Sequence, residues 1–202
     1  MTGLRERQKA DRTRRILEIA RQRFPQEGYE AVTMESLAAE AGTSAVTVYN
    51  HFGSKAGVLL ALVRESDQRL LARLESIAAD PPEELTEGIA RVAQTIRWHA
   101  LTWLSKATWR QIAAASLTEG SAEFGRIYRA LDAELIRLIA RVVAAYVARG
   151  ALPAGTNADR LGATLFALQN MRFFEFIADD SLTDAQADRI MRADLAALFG
   201  GR

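Results

Sequence analysis

The sequence has 202 residues, of which 49% are hydrophobic, and a formal net charge of +1. It has no cysteine, which excludes disulfide bonds, thiolate zinc sites and cysteine nucleophiles. The length suffices for one sizeable core or for a small domain joined to a larger one. Only 4 prolines and many alanines, leucines and arginines favour helices, so we expect an all-α protein.

Neither end of the chain looks like a targeting or membrane segment. No run of 18 apolar residues occurs, and the N-terminus is charged. We therefore expect a cytoplasmic protein that does not enter a membrane.

Positive charge is concentrated at the start of the chain. The first fifteen residues contain two acidic side chains, Glu6 and Asp11, and six basic ones: Arg5, Arg7, Lys9, Arg12, Arg14 and Arg15. Such a basic arm is usually only a solvated terminus, but it also suits contact with nucleic acid. If the protein binds DNA, we expect the arginines of the arm to enter a narrow, A/T-rich minor groove.

Three helices are predicted behind the arm. The first has an apolar face of Ile16, Ile19, Ala20 and Phe24 and ends near Pro25 and Gly28. Thr33 is placed to N-cap a short second helix whose inner face is Met34, Leu37, Ala38 and Ala41. Gly42 suits the left-handed residue that closes this helix, and Ser44 is placed to cap a third, Ala45 to about Asn50.

Six further helices follow, which makes about nine. The fourth is long, begins after Ser54 and ends at Asp80 before Pro81 and Pro82. The other five are expected at about Glu83–Ala100, Trp103–Ser116, Ser121–Arg149, Asn157–Ala178 and Asp184–Phe199. Thr183 and Gln186 form a capping-box pattern before the last helix.

The second and third helices form a helix-turn-helix pattern, whose second helix can lie in the major groove of DNA. An ordinary helical corner would have similar spacing. Short hydrogen-bonding side chains at the helix starts favour DNA, because helix N-termini attract phosphate. These side chains are Thr33, Thr43, Ser44, Thr47, Tyr49, His51 and Lys55.

The segments RRILEIARQRF and GYEAVTMESLAAEAGTSAVTVYNHFGSKAGVLLALV resemble the N-terminal domain of the TetR family of bacterial transcriptional regulators. The resemblance spans roughly Ile16–Val63 and includes the Gly-Tyr pair after helix 1, the Ala-Gly-x-Ser turn and the Tyr-x-His-Phe motif. Beyond it, the chain resembles the family in the number and length of its helices and in the ARGAL corner.

The resemblance implies a homodimer that binds double-stranded operator DNA. It places Ala45, Val46, Thr47 and Tyr49 towards the major groove, and Thr33, Thr43, Ser44, His51 and Lys55 beside phosphates. It implies a DNA-binding domain over residues 1–54 and a helical effector-binding and dimerisation domain over 55–202. Val46, where glycine is common, and Pro25, before the Gly-Tyr pair, depart from the usual pattern. So does Ala56-Gly57, which replaces an acidic pair.

The family also implies a small-molecule effector, which we expect to be largely apolar or aromatic. The candidate wall residues are the aromatic and isolated polar side chains of the later helices, although core filling is the better explanation for any one aromatic taken singly. They are Trp98, His99, Trp103, Trp109, Phe124, Tyr128, Asn170 and Phe173. Ligand-induced release from the operator would make the protein a repressor.

Helices 8 and 9 are the expected dimer interface, as a four-helix arrangement about a two-fold axis. A charge introduced at Leu165 or Leu195 is expected to give monomers that bind DNA poorly, with unfolding by disruption of the core as the competing outcome. No metal or cofactor is expected.

Two alternatives remain open from the residues alone. One is an effector-independent or architectural DNA-binding protein. The other is a helical enzyme or ligand-binding protein without DNA, which is disfavoured because only His51 and His99 supply imidazoles and because HExxH, EF-hand and phosphate-loop motifs are absent.

Overall fold

The computed structural model describes residues 2–118 and 123–200, without the side chains of residues 2, 4–6, 65–68, 103 and 123. In this part of the chain the regular structure is entirely helical, which confirms the all-α prediction. The helices are α1 (Thr2–Glu27), α2 (Met34–Glu40), α3 (Ala45–Phe52), α4 (Lys55–Ala79), α5 (Leu85–Trp103), α6 (Lys106–Thr118), α7 (Glu123–Ala148), α8 (Ala158–Ala178) and α9 (Asp184–Phe199).

The chain divides into two compact units. The first unit comprises Met1–Glu65 and Ala107–Tyr128, and the second unit comprises Ser66–Lys106 and Arg129–Arg202. The predicted domain boundary after residue 54 stays a prediction. Within the described residues, none of the helices combines the length and the apolar character needed to cross a lipid bilayer.

The core of the first unit includes the apolar faces predicted for its first three helices. Ile16, Ala20 and Phe24 of α1 are buried, as are Leu37 of α2 and Val48 of α3. Helix α2 packs against both α1 and α3. The periodicity of the sequence therefore predicted correctly which faces of these short helices point inwards.

The structure corrects the predicted extent of α1. The helix begins at Thr2, so the basic segment predicted as an arm is helical from that residue. An α-helix is about 10–12 Å wide with its side chains and does not fit a minor groove about 6 Å wide. Pro25 lies inside the last turn, and the helix closes two residues later with Gly28 N–H donating to Phe24 O at 3.1 Å.

A second correction concerns Trp103. The predicted boundary placed it at the start of the sixth helix, but it is the last residue of α5, and Leu104 is extended. The Leu104 N–H still donates to Ala100 O at 3.3 Å, so the helical hydrogen bonding continues past the expected break. The predicted helix start at Ser121 lies outside the described residues.

The second unit has a core built from α4, α5, α7, α8 and α9. Its centre includes Leu74, Leu138, Leu165 and Leu195, all nearly inaccessible to solvent. Tyr146 is fully buried, and its hydroxyl donates to Pro82 O at 2.7 Å. A side chain at Gly88 would overlap that hydroxyl, so the glycine permits the close approach of α7 to α5.

Ion pairs join α9 to α5 and α8. The Arg97 guanidinium of α5 is buried and lies 2.5 Å from an Asp184 carboxylate oxygen and 3.9 Å from Asp188. Arg192 of α9 hydrogen-bonds Glu87 of α5 and also Asp188. Because burial of a charge is costly unless the charge is paired, these contacts specify how α9 lies on α5.

Candidate nucleic-acid interface

The corner between α2 and α3 is formed by local hydrogen bonds. At the start of α2, Thr33 Oγ1 accepts from Ser36 N–H at 3.0 Å, and Ser36 Oγ accepts from Thr33 N–H at 3.1 Å. This confirms Thr33 as the N-cap and adds Ser36, which closes a capping box in place of the usual Glu or Gln. The box leaves Thr33 exposed at the positive end of the helix.

The turn after α2 is a Schellman motif. Thr43 N–H donates to Ala38 O at 2.9 Å, and Gly42 N–H donates to Ala39 O at 3.2 Å. Gly42 has φ +65°, the left-handed conformation predicted from its position. The motif ends α2 abruptly and places half-buried Thr43 directly before α3.

Ser44 caps α3 as predicted. Its Oγ accepts from Thr47 N–H at 3.2 Å and lies 2.8 Å from Thr47 Oγ1. The two hydroxyls therefore share one hydrogen bond at the start of α3. Whichever of them donates it, the pair keeps one hydroxyl hydrogen and part of its acceptor capacity for an external partner.

The outer face of α3 carries apolar and amide groups. Val46 is 66% exposed and Tyr49 is 44% exposed, whereas Val48 is completely buried. Asn50 is also exposed, one turn beyond Val46, and was not among the predicted contact residues. Its position at i+4 from Val46 was the available signal. Ala45 and Thr47 are half-buried at the start of the helix, and Phe52 is half-buried at its end.

Tyr49 contacts α2 as well as solvent. Its hydroxyl donates to Glu35 Oε1 at 3.3 Å, and partial burial together with this carboxylate raises the pKa of Tyr49. The phenol therefore stays protonated at neutral pH and remains a hydrogen-bond donor. Its contact with Glu35 ties the outer face of α3 to the first turn of α2.

His51 connects the end of α3 to α1. Its Nε2 lies 2.9 Å from Thr13 Oγ1, and Thr13 Oγ1 donates to Lys9 O at 3.0 Å. Because the hydroxyl hydrogen is directed to Lys9, Thr13 accepts from His51 Nε2–H. The half-buried imidazole thus holds α3 against the basic part of α1.

Lys55 anchors the loop between α1 and α2. Its Nζ donates to Tyr29 O at 2.6 Å and lies 4.2 Å from the centre of the Tyr29 ring. A more distant carbonyl, Glu30 O, is 3.5 Å away. The resemblance implied a phosphate contact for Lys55, and its ammonium group is already held by carbonyls and a ring at the start of α4.

Arg15 supports the corner from the α1 side. Its Nη1 lies 3.5 Å from Ala41 O, at the C-terminal end of α2. A cavity of about 960 Å³ separates this part of α1 from the corner and is lined by Arg12, Arg14 and Arg15 together with Asp11 and Glu18. The role of Arg15 depends on a contact across 26 residues, so spacing alone did not predict it.

Three of the predicted effector residues belong to the first unit. Phe124 is buried and stacks on Tyr128, with ring centres 6.2 Å apart and planes 15° apart. Tyr128 and Trp109 are half-buried. Phe124 and Tyr128 are therefore one aromatic cluster on α7.

The other five lie in the second unit and face different surroundings. Phe173 and His99 are buried and Asn170 is half-buried, whereas the Trp98 ring is exposed beside Arg73. Burial, then the nearby Arg73 and Arg69, lowers the pKa of His99, so the imidazole is neutral at neutral pH. The Trp103 side chain lies outside the described part.

The apolar side chains of α8 and α9 divide into two groups. Leu165 and Leu195 are buried in the core of the second unit, so a charge at either position is expected to disrupt that core, which was the competing outcome to separation of the subunits. The large apolar side chains of α8 and α9 that remain exposed are Met171, Ile190 and Leu198.

The chain is similar in sequence to bacterial regulatory proteins. The family model described as bacterial regulatory proteins, tetR family, matches residues 16–62. The chain is 28% identical over 174 residues to the HTH-type transcriptional regulator EthR of Mycolicibacterium smegmatis, covering 84% of the chain and 76% of EthR. It is 32% identical over 83 residues to the HTH-type transcriptional repressor AcnR of Corynebacterium efficiens, covering 41% of the chain but only 43% of AcnR.

The fold is also found among solved structures. The transcriptional regulator FadR of Bacillus subtilis, solved in complex with stearoyl-CoA, superposes with a TM-score of 0.66. The superposition covers 93% of this chain and 98% of FadR at 15% identity, so it concerns the fold alone. Together with the capped corner and the exposed outer face of α3, these relationships show that the chain belongs to the TetR family of bacterial regulatory proteins and is a sequence-specific DNA-binding transcriptional regulator.

Proposed function

We propose that the outer face of α3 reads operator bases while the starts of α2 and α3 bind phosphate. The observation that carries this proposal is the exposure of Val46 on a helix whose opposite face, at Val48, is fully buried. An exposed β-branched side chain has no folding role at that position, so its contact surface is available to a groove. Thr33 and Ser44, both exposed at helix N-termini, are suited to phosphate.

The chemistry of this face favours T·A base pairs. Ala45 and Val46 offer apolar surface for the thymine methyl group, and they lack the guanidinium or amine that commonly recognises guanine. Asn50, on the same face, offers the amide that pairs with the N6 and N7 edge of adenine. We therefore propose half-sites that contain adjacent T·A pairs.

The test is selection of bound duplexes from a random pool, followed by replacement of each selected thymine with uracil. Uracil lacks the methyl group but pairs in the same way, so each critical substitution should weaken binding by about 1 kcal/mol, roughly fivefold. Val46→Ala should remove most of that difference. Leu117→Ala is the matched control, since Leu117 is an exposed aliphatic residue on α6.

A selected core dominated by G·C pairs would contradict this assignment. So would full affinity for the uracil-substituted site.

We further propose that the protein is a homodimeric repressor released by a small molecule. The exposed Met171, Ile190 and Leu198 support α8 and α9 as the contact surface, because apolar side chains of this size are usually covered. The repressor AcnR and the stearoyl-CoA complex of FadR support repression and effector binding by analogy.

Release requires that the effector bind one state of the dimer better than the other. Two recognition helices must contact half-sites about 34 Å apart, or a multiple of that distance. A change of a few ångströms in their separation would therefore prevent simultaneous contact. An effector-independent regulator is the alternative, and it would keep its operator affinity in the presence of every ligand that binds the protein.

The dimer is tested by sedimentation of Met171→Glu and Leu198→Glu, with Leu117→Glu as the control on a different helix. Both α8 and α9 variants should sediment as folded monomers at micromolar concentration and bind the operator at least tenfold more weakly, whereas the control should remain dimeric. A monomeric parent protein would contradict the proposal.

Effector release is tested separately. Bound operator is challenged with fatty acyl-CoA thioesters and with neutral aromatic compounds, and release is followed by fluorescence anisotropy. Displacement that saturates with ligand concentration, and that is reversed by dilution, supports ligand-controlled repression.

A further inference from the structure

The second unit carries a groove between α4 and α5 that none of the DNA or dimer contacts uses. Its volume is about 390 Å³, within the range of about 300–1,000 Å³ typical of small-molecule sites. The residues that matter for its chemistry are Arg73 and Ile77 of α4, Arg91, Gln94 and Trp98 of α5, and Asp184 at the start of α9.

Arg73 and Trp98 form the most unusual pair in this groove. The guanidinium carbon of Arg73 lies 4.5 Å from the centre of the Trp98 ring, while Trp98 is 51% exposed. Stacking uses the flat face of a guanidinium and leaves its N–H groups available in the plane. Among the described side chains, no carboxylate lies within ion-pair distance of Arg73, so these donors are available to an external anion.

Counting the neighbouring charges shows that the groove keeps a positive charge. Arg91 lies 3.5 Å from Glu87, but Glu87 also accepts from Arg192. Asp184 is paired with buried Arg97, and Asp188 lies between Arg97 and Arg192. Four guanidiniums, those of Arg73, Arg91, Arg97 and Arg192, therefore face three carboxylates. Among these described groups one positive charge remains, and Arg73 is the arginine that has no described carboxylate within ion-pair distance.

The rest of the groove surface is suited to a flat apolar group. The half-buried Ile77 side chain and the exposed Trp98 ring supply contact area, and the exposed Gln94 amide adds neutral donors. A ligand with an aromatic ring and an acidic group would place its ring on this surface and its acid beside Arg73. Guanidinium and carboxylate groups match in a two-hydrogen-bond geometry.

We propose that this groove is a binding site for a small aromatic carboxylate. The aromatic ring contacts Trp98 and Ile77, and the carboxylate accepts from Arg73, with Arg91 as a second cation lining the same cavity. The site is independent of the operator contacts proposed above and does not require that ligand binding release DNA.

The test is calorimetric titration of the full-length protein, without DNA, with 2-naphthoate and with its neutral analogue 2-naphthylmethanol. The two probes share the ring and differ in charge. Naphthoate should bind at least tenfold more tightly, because a hydrogen bond to a charged group contributes about 1.5–3 kcal/mol. Added salt should reduce this preference.

Three variants locate the site. Arg73→Gln should abolish the preference for naphthoate and leave the weak binding of the alcohol, whereas Trp98→Leu should weaken both probes. Arg64→Gln is the matched control, since it removes an exposed guanidinium from the same helix α4 outside the groove. All three replace exposed side chains, so each variant should retain the helical circular dichroism of the parent.

The proposal is overturned if neither probe binds at millimolar concentration, if both bind equally, or if Arg73→Gln keeps the preference. Operator binding is measured on the same preparations. If the parent protein shows the preference for naphthoate but does not bind an operator, only the proposed function is contradicted. If it binds an operator but shows no preference that depends on Arg73, only this site is contradicted.

Discussion

The α2–α3 corner and the contact between α5 and α9 are held together in opposite ways. In the corner, the capping contacts join residues three apart, as in Thr33–Ser36 and Ser44–Thr47. Between α5 and α9, the partners are distant in sequence: Arg97 reaches Asp184 across 87 residues, and Arg192 reaches Glu87 across 105. The corner leaves its outer face exposed, whereas the α5–α9 contact buries charge.

This difference teaches where stability and recognition are located. A helix that is capped locally keeps its shape without covering its outer face, so that face is free for a ligand as large as DNA. In the second unit, by contrast, contacts between side chains distant in sequence determine how the long helices pack against one another. We therefore expect substitutions in the second unit to change the free energy of unfolding, and substitutions on α3 to change DNA affinity.

The largest effect is expected at the crossing of α7 and α8. A side-chain Cβ at Gly162 would lie 2.7 Å from the backbone of Ala140, so Gly162→Leu forces the two helices apart. We expect a loss of about 3 kcal/mol in the free energy of unfolding, measured by urea denaturation. Gly155→Leu is the control, because nothing lies within 4 Å of a Cβ there, and it should change stability by less than about 0.5 kcal/mol.

Equal free energies of unfolding for the two glycine variants would show that α7 and α8 can move apart without loss of stability. Helix packing in the second unit would then not determine stability as we expect.

Removal of the buried guanidinium should have the next largest effect. Arg97→Met leaves Asp184 without its cation and Asp188 with Arg192 alone, and we expect a loss of about 2 kcal/mol. This is less than for a fully buried pair, because Asp184 is half exposed. Arg141→Met breaks an exposed pair with Glu75 and should cost at most about 0.5 kcal/mol. Similar losses in both variants would mean that burial of Arg97 is unimportant.

A carboxylate on α7 should make stability depend on pH. Burial raises the pKa of Asp132 from 3.8 to about 6, so the folded state binds its proton more tightly than the unfolded state. Stability is therefore lost as the pH rises from about 4 to about 6, and the full cost is present above that range.

Asp132→Asn should raise the free energy of unfolding by about 1 kcal/mol at pH 7.5, a value reduced from the full shift because the side chain is half-buried. Most of the gain should disappear at pH 4, because the carboxyl of folded Asp132 is then protonated and neutral, like the amide that replaces it. Urea titrations of the parent and the variant at the two pH values check this, and a gain that does not vary with pH would contradict it.

The smallest effect on stability is expected on the recognition helix. Val46→Ala removes exposed surface only and should change the free energy of unfolding by less than about 0.5 kcal/mol, while operator affinity falls by about fivefold. Parallel denaturation and anisotropy measurements separate the two quantities. A loss of stability as large as the loss of binding energy would show that α3 is not free for recognition.

Part of this arrangement was predictable from the residues. Thr33, Ser44 and Thr183 were identified as N-caps, and each accepts the expected backbone hydrogen bond. The left-handed Gly42 and the buried faces of α1 and α2 were also predicted. Each of these features depends on residues within about one or two helical turns, which the sequence displays directly.

The sequence by itself determined the capped corner, the all-helical pattern of the described residues and the family resemblance, because local hydrogen bonds and helical periodicity need no distant partner. The tertiary structure decided that Leu165 and Leu195 are core while Met171 and Leu198 are exposed, and that Trp98 lies open beside Arg73. Periodicity identifies an apolar face but not which helix covers it. That depends on residues brought together across the chain, as the pairing of Arg97 with Asp184 shows.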